Sequence, residues 1–306
     1  MRSPHAACKD FERANANEVE DYCGPRITPR VLAAALGIST SRFRGLLGRI
    51  ESHGYRRFVK RTRAKSRVIC APNPWLKRMQ RVALERVLVW FPPPPFVHSK
   101  RGSDAVWNAR EHLGRPYVLT VDVRDCFPSI TVQQIRKALL RVGFDSEAAG
   151  LMTRLVTVKG RLPQGAPTSS ALLNLVLAEI DELLTHDAAQ VSANFTRYVD
   201  DLTFSAHVPL DSLLPVVARR LSRLGLRLNS RKIHVLGPDE PHEITGIIVG
   251  STLGPRREFL RGLRRALSRM SRGDGRIRAE VVIGKVNWVR RLNPALAANL
   301  SKSIRV

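Results

Sequence analysis

Acidic side chains are scarce in this chain. Its 306 residues carry 26 Asp and Glu against 51 Lys and Arg, for a formal net charge of +25. Cysteine is scarcer still: the four present (Cys8, Cys23, Cys70 and Cys126) form no CxxC pair. That scatter argues against a zinc site and against a disulfide framework, and makes a reducing cytoplasm the simplest home. No stretch approaches the ~18 uninterrupted apolar residues that a membrane span needs. The opening Met1-Arg2-Ser3-Pro4-His5 has no apolar core behind it and does not read as a signal peptide. No internal repeat is visible, and the one low-complexity run is Pro92-Pro93-Pro94-Pro95.

What is abundant is arginine, which outnumbers lysine about four to one. Its planar fork grips phosphate bidentately, so a polyanion is the expected partner. Arginine-rich codon usage or ribosome binding would leave the same composition, which by itself says nothing about catalysis. The length allows a sizeable core, in one large or two to three modest domains.

Residues 28–50 read as a small helical unit, in which "LAAALGISTSRFRGLL" resembles a helix-turn-helix with Gly37 at the turn. Tyr55 to Ile69 is basic and strand-prone, and Leu76–Leu88 is an amphipathic helix ended by the proline run. Ser103 is a candidate cap for a helix through His112, stopped near Gly114. "YVLTVD" (Tyr117–Asp122) reads as a short apolar strand that delivers Asp122 at its end. "ALLNLVLAEIDELL" (Ala171–Leu184) reads as a helix, and "NFTRYVDDLTFSA" (Asn194–Ala206) as a hairpin turning at Asp200-Asp201. The last fifty residues suggest two helical stretches. In the first, Leu260, Leu263, Leu267 and Met270 make an apolar stripe beside Arg257, Arg261, Arg264, Arg265 and Arg269. Packing beside a nucleic-acid duplex suits that face better than a membrane, for want of a large aromatic anchor.

In so basic a chain the acids stand out. Asp122 and Asp125 follow one strand, and Asp200 and Asp201 share a turn. Adjacent carboxylates repel one another, and Mg²⁺ relieves the repulsion while keeping open positions for phosphates. Two such ions ~3.5–4 Å apart support in-line nucleotidyl transfer. An isolated Asp-Asp is ordinarily a solvated turn, so the pair needs company.

The company is a series of motifs. "YVDD" (Tyr198–Asp201) resembles the catalytic box of reverse transcriptases, "VDVRDCFPSI" (Val121–Ile130) their first palm motif, and "LPQGAPTS" (Leu162–Ser169) their nucleotide-binding turn. "NAREH" (Asn108–His112) matches the NAxxH signature of bacterial retron reverse transcriptases, and "ITG" (Ile244–Gly246) their VTG signature with one conservative change. "SRVICAP" (Ser66–Pro72) followed by "LKRMQ" (Leu76–Gln80) resembles their fingers, and "GLRLNSRKI" (Gly225–Ile233) the segment after the catalytic hairpin. The motifs run in family order over residues 30–300.

The resemblance implies roles residue by residue. Asp122, Asp200 and Asp201 bind two Mg²⁺ ions, for which Mn²⁺ can substitute, and Val123 contributes a backbone carbonyl. Arg67, Asp125, Phe127, Gln164 and Gly165 meet the incoming deoxynucleotide, with Phe127 excluding a 2′-hydroxyl; a core aromatic is the plain alternative. Lys60, Arg61, Arg63 and Lys65 compete as partners of Arg67. Lys232 protonates the leaving pyrophosphate, or else is simply solvated. Asn108, His112, Thr245, Gly246, Arg257, Arg261 and Arg265 belong to RNA-binding surfaces, with a structural histidine as the alternative at His112.

Four departures from the retron pattern (Val199, Cys126, Ser170 and Ile233) remove no catalytic group. The implied fold is α+β, a right-hand polymerase: a helical segment over 1–54, interleaved fingers and palm over 55–250, and a helical thumb over 251–306. The implied activity is reverse transcription of a structured noncoding RNA, primed from a guanosine 2′-hydroxyl, into branched RNA-linked DNA. Such systems act against phage through an effector, here expected as a separate chain. A group II intron-type or abortive-infection reverse transcriptase is the neighbouring reading, and a non-catalytic RNA-binding scaffold the reading from another class.

Overall fold

The computed structural model describes residues 26–61, 66–273 and 278–302. Cys8, Cys23, Arg63 and Lys65 lie outside the described residues. The chain divides into two compact units, each assembled from two stretches of sequence. One runs to Pro93 and takes in Asp125–Ala178; the other combines Pro94–Arg124 with Glu179 onward.

The first unit is mainly helical. Thr28 caps the Pro29–Ala35 helix and Ser39 caps Thr40–His53, each through its side-chain oxygen. Gly37 turns the chain between them at a φ of +73°. Strands β1 (Tyr55–Arg61) and β2 (Ser66–Pro72) form an antiparallel hairpin in which Lys60 stands directly opposite Arg67. Asn73 then caps the Pro74–Arg86 helix, with proline in its first turn. The helix ends two residues before the expected Leu88, and a 3₁₀ turn, Leu88–Trp90, leads to the proline run. Helices Val132–Arg141, opened by a Thr131/Gln134 capping box, and Ser146–Val156 belong to the same unit. Leu76, Ile135, Leu139, Met152 and Leu155 form its solvent-free interior.

The second unit carries a four-stranded antiparallel sheet with β3 (Tyr117–Asp122) near its centre. With β4 (Asn194–Tyr198), β5 (Asp201–Ala206) and β6 (His234–Leu236), the order is β4-β5-β3-β6. Alternation along the strands separates two faces. One is apolar, with Leu119, Leu202, Phe204 and Phe195, the two rings stacking at 4.8 Å. The other is polar, with Thr120, Asp122, Thr196, Asp201, Thr203 and Ser205 in register. A second sheet, β7 (His242–Ile244), β8 (Ile247–Val249) and β9 (Leu253–Pro255), is a three-stranded meander. After it, among the described residues, come three helices where two were expected: Arg257–Ser271, Ala279–Leu292 and Pro294–Lys302. Their apolar positions meet in one cluster around Leu263, Leu267, Val286 and Val289. No described helix is long and apolar enough to cross a membrane.

Two expectations are corrected in this unit. The Ala105–Arg110 helix is capped by Asp104, whose carboxylate accepts from Val106 N at 2.9 Å and Trp107 N at 3.3 Å. Ser103 instead bonds the His98 ring. A charged acceptor suits the positive end of a helix better than a hydroxyl. Secondly, Asn108 and His112 have no exposed surface, so neither side chain is available to RNA. The His112 ring lies between Ser205 Oγ and Thr196 Oγ1, each at 2.7 Å, and ties the helix end to the polar face of β4 and β5. Helical spacing puts Asn108 and His112 side by side, but that says nothing about which way the shared face points.

Burial pushes the His112 pKa down to about 3, and nearby His98 and Arg115 add to the shift. The ring is therefore neutral when folded, whereas an unfolded histidine takes up a proton near pH 6.5. Below that pH the unfolded chain binds the extra proton, so stability falls as pH falls, through the window from about 6.5 down to about 3. Chemical denaturation of wild type and His112→Gln should show wild type losing about 2 kcal/mol more than the variant between pH 7 and 5. Parallel pH profiles would show that His112 is not held neutral by the fold.

Candidate active site

The second unit gathers Asp122, Asp200 and Asp201, with one carboxylate oxygen from each lying within 4.8 Å of the others. Antiparallel register does this. Asp122 ends β3 directly opposite Asp201, the first residue of β5, and Asp200 precedes Asp201 in the two-residue turn from β4. The turn is itself tied to β3 by Val123 N donating to Asp200 O at 3.0 Å. Val199 holds a φ of +60°, while Asp200 does not have a positive φ. A positive φ at the first loop position alone is the signature of a II′ turn, where glycine is preferred. A β-branched residue there costs about 1–3 kcal/mol.

Three converging carboxylates need opposite charge. Lys232 supplies some of it: its Nζ lies 2.5 Å from Asp122 Oδ2. The side chain is thus ion-paired rather than merely solvated. Asn229 donates its amide to Asp122 Oδ1 at 3.0 Å, and its backbone N–H to Asp122 O at 2.8 Å. Both lie in the segment entering β6, which runs beside β3. Both oxygens of Asp122 therefore accept, as an ionised carboxylate does. An all-oxygen set of three carboxylates suits a hard divalent cation.

A cavity of about 540 Å³ opens on the polar face of the sheet. Asp122, Asp201, Lys232 and Tyr198 line it together with Thr245, Gly246, Phe259 and Trp288. Thr245 and Gly246 form the tight β7–β8 turn, both at positive φ (47° and 85°), the I′ pattern. Thr245 Oγ1 donates to Ala105 O at 3.3 Å, and Arg256, paired with Glu243, packs against Gly246. The Thr245-Gly246 signature thus shares a cavity with the carboxylates, whereas the Asn108/His112 signature is interior. Arg257, Arg261 and Arg265 recur every four residues on an exposed helix face, with Arg261 within 3.2 Å of Glu258.

The first unit holds Arg67, Asp125, Phe127, Gln164 and Gly165. Gln164 O accepts from Cys70 N at 2.9 Å, which lays the turn along β2. Gly165 has a φ of +115°, and a Cβ there would come within 2.9 Å of Ile69 Cγ2, so only glycine fits. Phe127 is half-buried in the single-turn Cys126–Ser129 helix, preceded by Asp125 in the left-handed region at a φ of 46°. In the β1–β2 ladder Lys60 is the cation directly across from Arg67, whereas Arg61 faces Ser66. Directly opposed like charges destabilise a hairpin, and a bound polyanion would relieve them.

Some residues of the site were not singled out from sequence: Asn229, Arg256, Phe259, Trp288 and the buried pair Arg197–Asp181. A lone arginine among alternating apolar residues in "NFTRYVDD" was the available signal for the last.

A family model described as "Reverse transcriptase (RNA-dependent DNA polymerase)" matches residues 58–249. The chain is similar to the Retron Mx65 reverse transcriptase of Myxococcus xanthus, 31% identical over 305 residues covering 90% of this chain and 70% of that protein. It is also similar to the Retron Ec86 reverse transcriptase of Escherichia coli, 30% identical, covering 60% of this chain and 59% of that one. The Retron Mx162 reverse transcriptase of Myxococcus xanthus is 30% identical, covering 78% and 56%. The chain thus spans little more than half the length of the last two relatives. Among solved structures, telomerase from Candida albicans in complex with a TWJ fragment of telomeric RNA is alike in fold. Its TM-score is 0.50 at 12% identity, over 82% of this chain and 56% of that one.

The competition of Lys232 with a cation for Asp122 can be measured on the nucleic-acid-free protein. By electron paramagnetic resonance, Asp200→Asn and Asp201→Asn should each weaken Mn²⁺ binding ~10-fold or more. Lys232→Ala should strengthen it, because an ammonium no longer occupies Asp122. Unchanged affinity in both aspartate variants would remove the cluster as a metal site.

Proposed function

This chain belongs to the reverse transcriptases, of bacterial retron type, RNA-directed DNA polymerases by family, and from that membership we propose how it works. It copies its own structured noncoding RNA into DNA, beginning from a guanosine 2′-hydroxyl and leaving a branched RNA–DNA product. The observation that carries polymerisation is the three-carboxylate cluster at the meeting of β3 and the β4–β5 turn. Bound there, two Mg²⁺ ions would activate the attacking hydroxyl and stabilise the leaving oxygen. Asp122, Asp200 and Asp201 would hold them, and Lys232, paired with Asp122 in the free protein, would donate a proton to the departing pyrophosphate.

We assign Arg67 and Lys60 to the triphosphate, since the ladder register pairs them. Asp125, Gln164 and Gly165 go to the nucleotide and Phe127 to its sugar, on their motif matches alone. The cavity lined by Thr245 and Gly246 takes the priming strand, and Arg257, Arg261 and Arg265 the RNA phosphates. In right-hand terms the fingers and palm lie within 55–250 and the thumb in 251–306. Defence against phage, together with an effector, is the biological role we attach to this activity.

The first test is extension of poly(rA)·oligo(dT) with Mg²⁺ and dTTP. Wild type should extend the primer, and Asp200→Asn or Asp201→Asn should abolish extension while sparing RNA affinity. Persistent extension by both variants would refute the carboxylate assignment. On an RNA template wild type should prefer dNTPs to rNTPs, and Phe127→Ala should relax the preference by improving rNTP use. A buried 2′-hydroxyl beside Phe finds no hydrogen-bond partner, so exclusion adds desolvation to steric clash. Branching is tested separately, by incubating the protein with its upstream RNA and treating the product with a 2′,5′-debranching enzyme. Product insensitive to debranching would favour the intron-type or abortive-infection reading.

RNA affinity should fall steeply with salt, with a slope in log–log form of about −0.7 to −0.9 per phosphate contact. Alanine at Arg257, Arg261 and Arg265 together should shallow it by up to ~3 units. An unaltered slope in a binding titration would place this helix face away from RNA.

A further inference from the structure

The apolar side of the β4–β5 hairpin hides a charge. Arg197 and Asp181 are fully buried, and their side chains form a bidentate pair: Nε to Oδ1 at 2.8 Å and Nη2 to Oδ2 at 2.6 Å. Asp181 comes from the Ser169–Ala189 helix. A buried ion pair of this kind is weak evidence for stability, because apolar replacements of similar volume are often as stable. Its geometry suggests another use. Arg197 Nη1 donates to Val199 O at 3.0 Å, so the guanidinium grips the peptide that joins Val199 to Asp200.

That peptide matters because the turn is strained where it begins, at the positive φ of Val199. The peptide after Asp200 is held as well, by Val123 N on Asp200 O. Asp200 thus sits between two pinned peptide planes, which together fix the direction of its Cα–Cβ bond. The backbone of Arg197 is pinned too: its N–H donates to Phe96 O at 3.0 Å and its carbonyl accepts from His98 N at 2.9 Å.

We propose that Arg197, anchored by Asp181, is a positioning residue that holds Val199 in its strained conformation and so aims the Asp200 carboxylate at the metal cluster. It acts from the face of the sheet opposite Asp201 and touches neither substrate nor ion. The inference rests on the polymerase reading for its purpose, and on the geometry of the free protein for its mechanism.

A variant series separates positioning from simple structural support. Arg197→Lys keeps the charge but cannot bridge Asp181 and Val199 O together. It should lower Mn²⁺ affinity of the nucleic-acid-free protein and kcat by ~10-fold or more, as loss of a group that orients metal ligands does. The KM for dNTP should move far less. Val199→Gly removes the cost of positive φ, so adding it to Arg197→Lys should return both quantities to the level of Val199→Gly alone. Should Arg197→Lys fail to fold, Asp181→Leu/Arg197→Met replaces the pair by apolar volume, and the same comparison with and without Val199→Gly applies. The proposal is overturned if a folded variant, matched to wild type in melting temperature, keeps wild-type Mn²⁺ affinity and kcat. It is overturned equally if Val199→Gly leaves the loss unrelieved. The Mn²⁺ measurement needs no nucleic acid, so it decides this point even if wild type fails to extend a primer.

Discussion

Three carboxylates with oxygens inside 4.8 Å of one another are held together against their own repulsion, and much of the second unit is arranged around that constraint. Register sets Asp122 opposite Asp201. Lys232 and Asn229 occupy the two oxygens of Asp122. The turn carrying Asp200 is tied down from both sides, by Val123 and by the Arg197 guanidinium. Like charges gathered without a cation destabilise the fold; with a divalent ion the same arrangement becomes a binding site. The scarcity of acids elsewhere in a chain of net charge +25 gives the cluster its contrast: the protein's overall field favours a polyanion, whereas three close carboxylates favour a divalent cation.

The two faces of the four-stranded sheet divide the labour. The polar face presents Asp122 and Asp201 to the cavity and ends at His112, whose ring joins Thr196 to Ser205. The apolar face packs Phe195, Phe204 and Leu119, and admits one charged pair, Arg197–Asp181. Two β-branched residues hold positive φ, Val199 in the β4–β5 turn and Thr245 in the β7–β8 turn, as do Asp125, Lys159 and Ser192 elsewhere. Strain of this kind persists only where surrounding contacts over-determine it, and at both turns named hydrogen bonds do so.

Family and chemistry were legible in the sequence, because they reside in short contiguous motifs whose order along the chain is itself information. "VDVRDCFPSI", "LPQGAPTS" and "YVDD" need no tertiary context to be read, and strand alternation and turn chemistry place them on β3, before a helix, and in a hairpin. The α+β class followed from the same local patterns. Apolar periodicity also fixed Leu263 and Leu267 as the buried stripe of a basic helix, since burial there depends on one helix face alone.

Only the tertiary structure decided where side chains point when two faces were both plausible. Asn108 and His112 share a helix face by spacing, yet the face turns inward, because the partners of His112 are hydroxyls 84 and 93 residues away in sequence. Lys232 is paired with Asp122 across 110 positions, and Lys60 becomes the neighbour of Arg67 through hairpin register. Arg197 meets Asp181 of the Ser169–Ala189 helix across 16 positions. Each of these depends on long-range pairing, which no local periodicity encodes. The sequence by itself determined which groups are present and what chemistry they support; folding decided which carboxylate each cation meets, and at what angle.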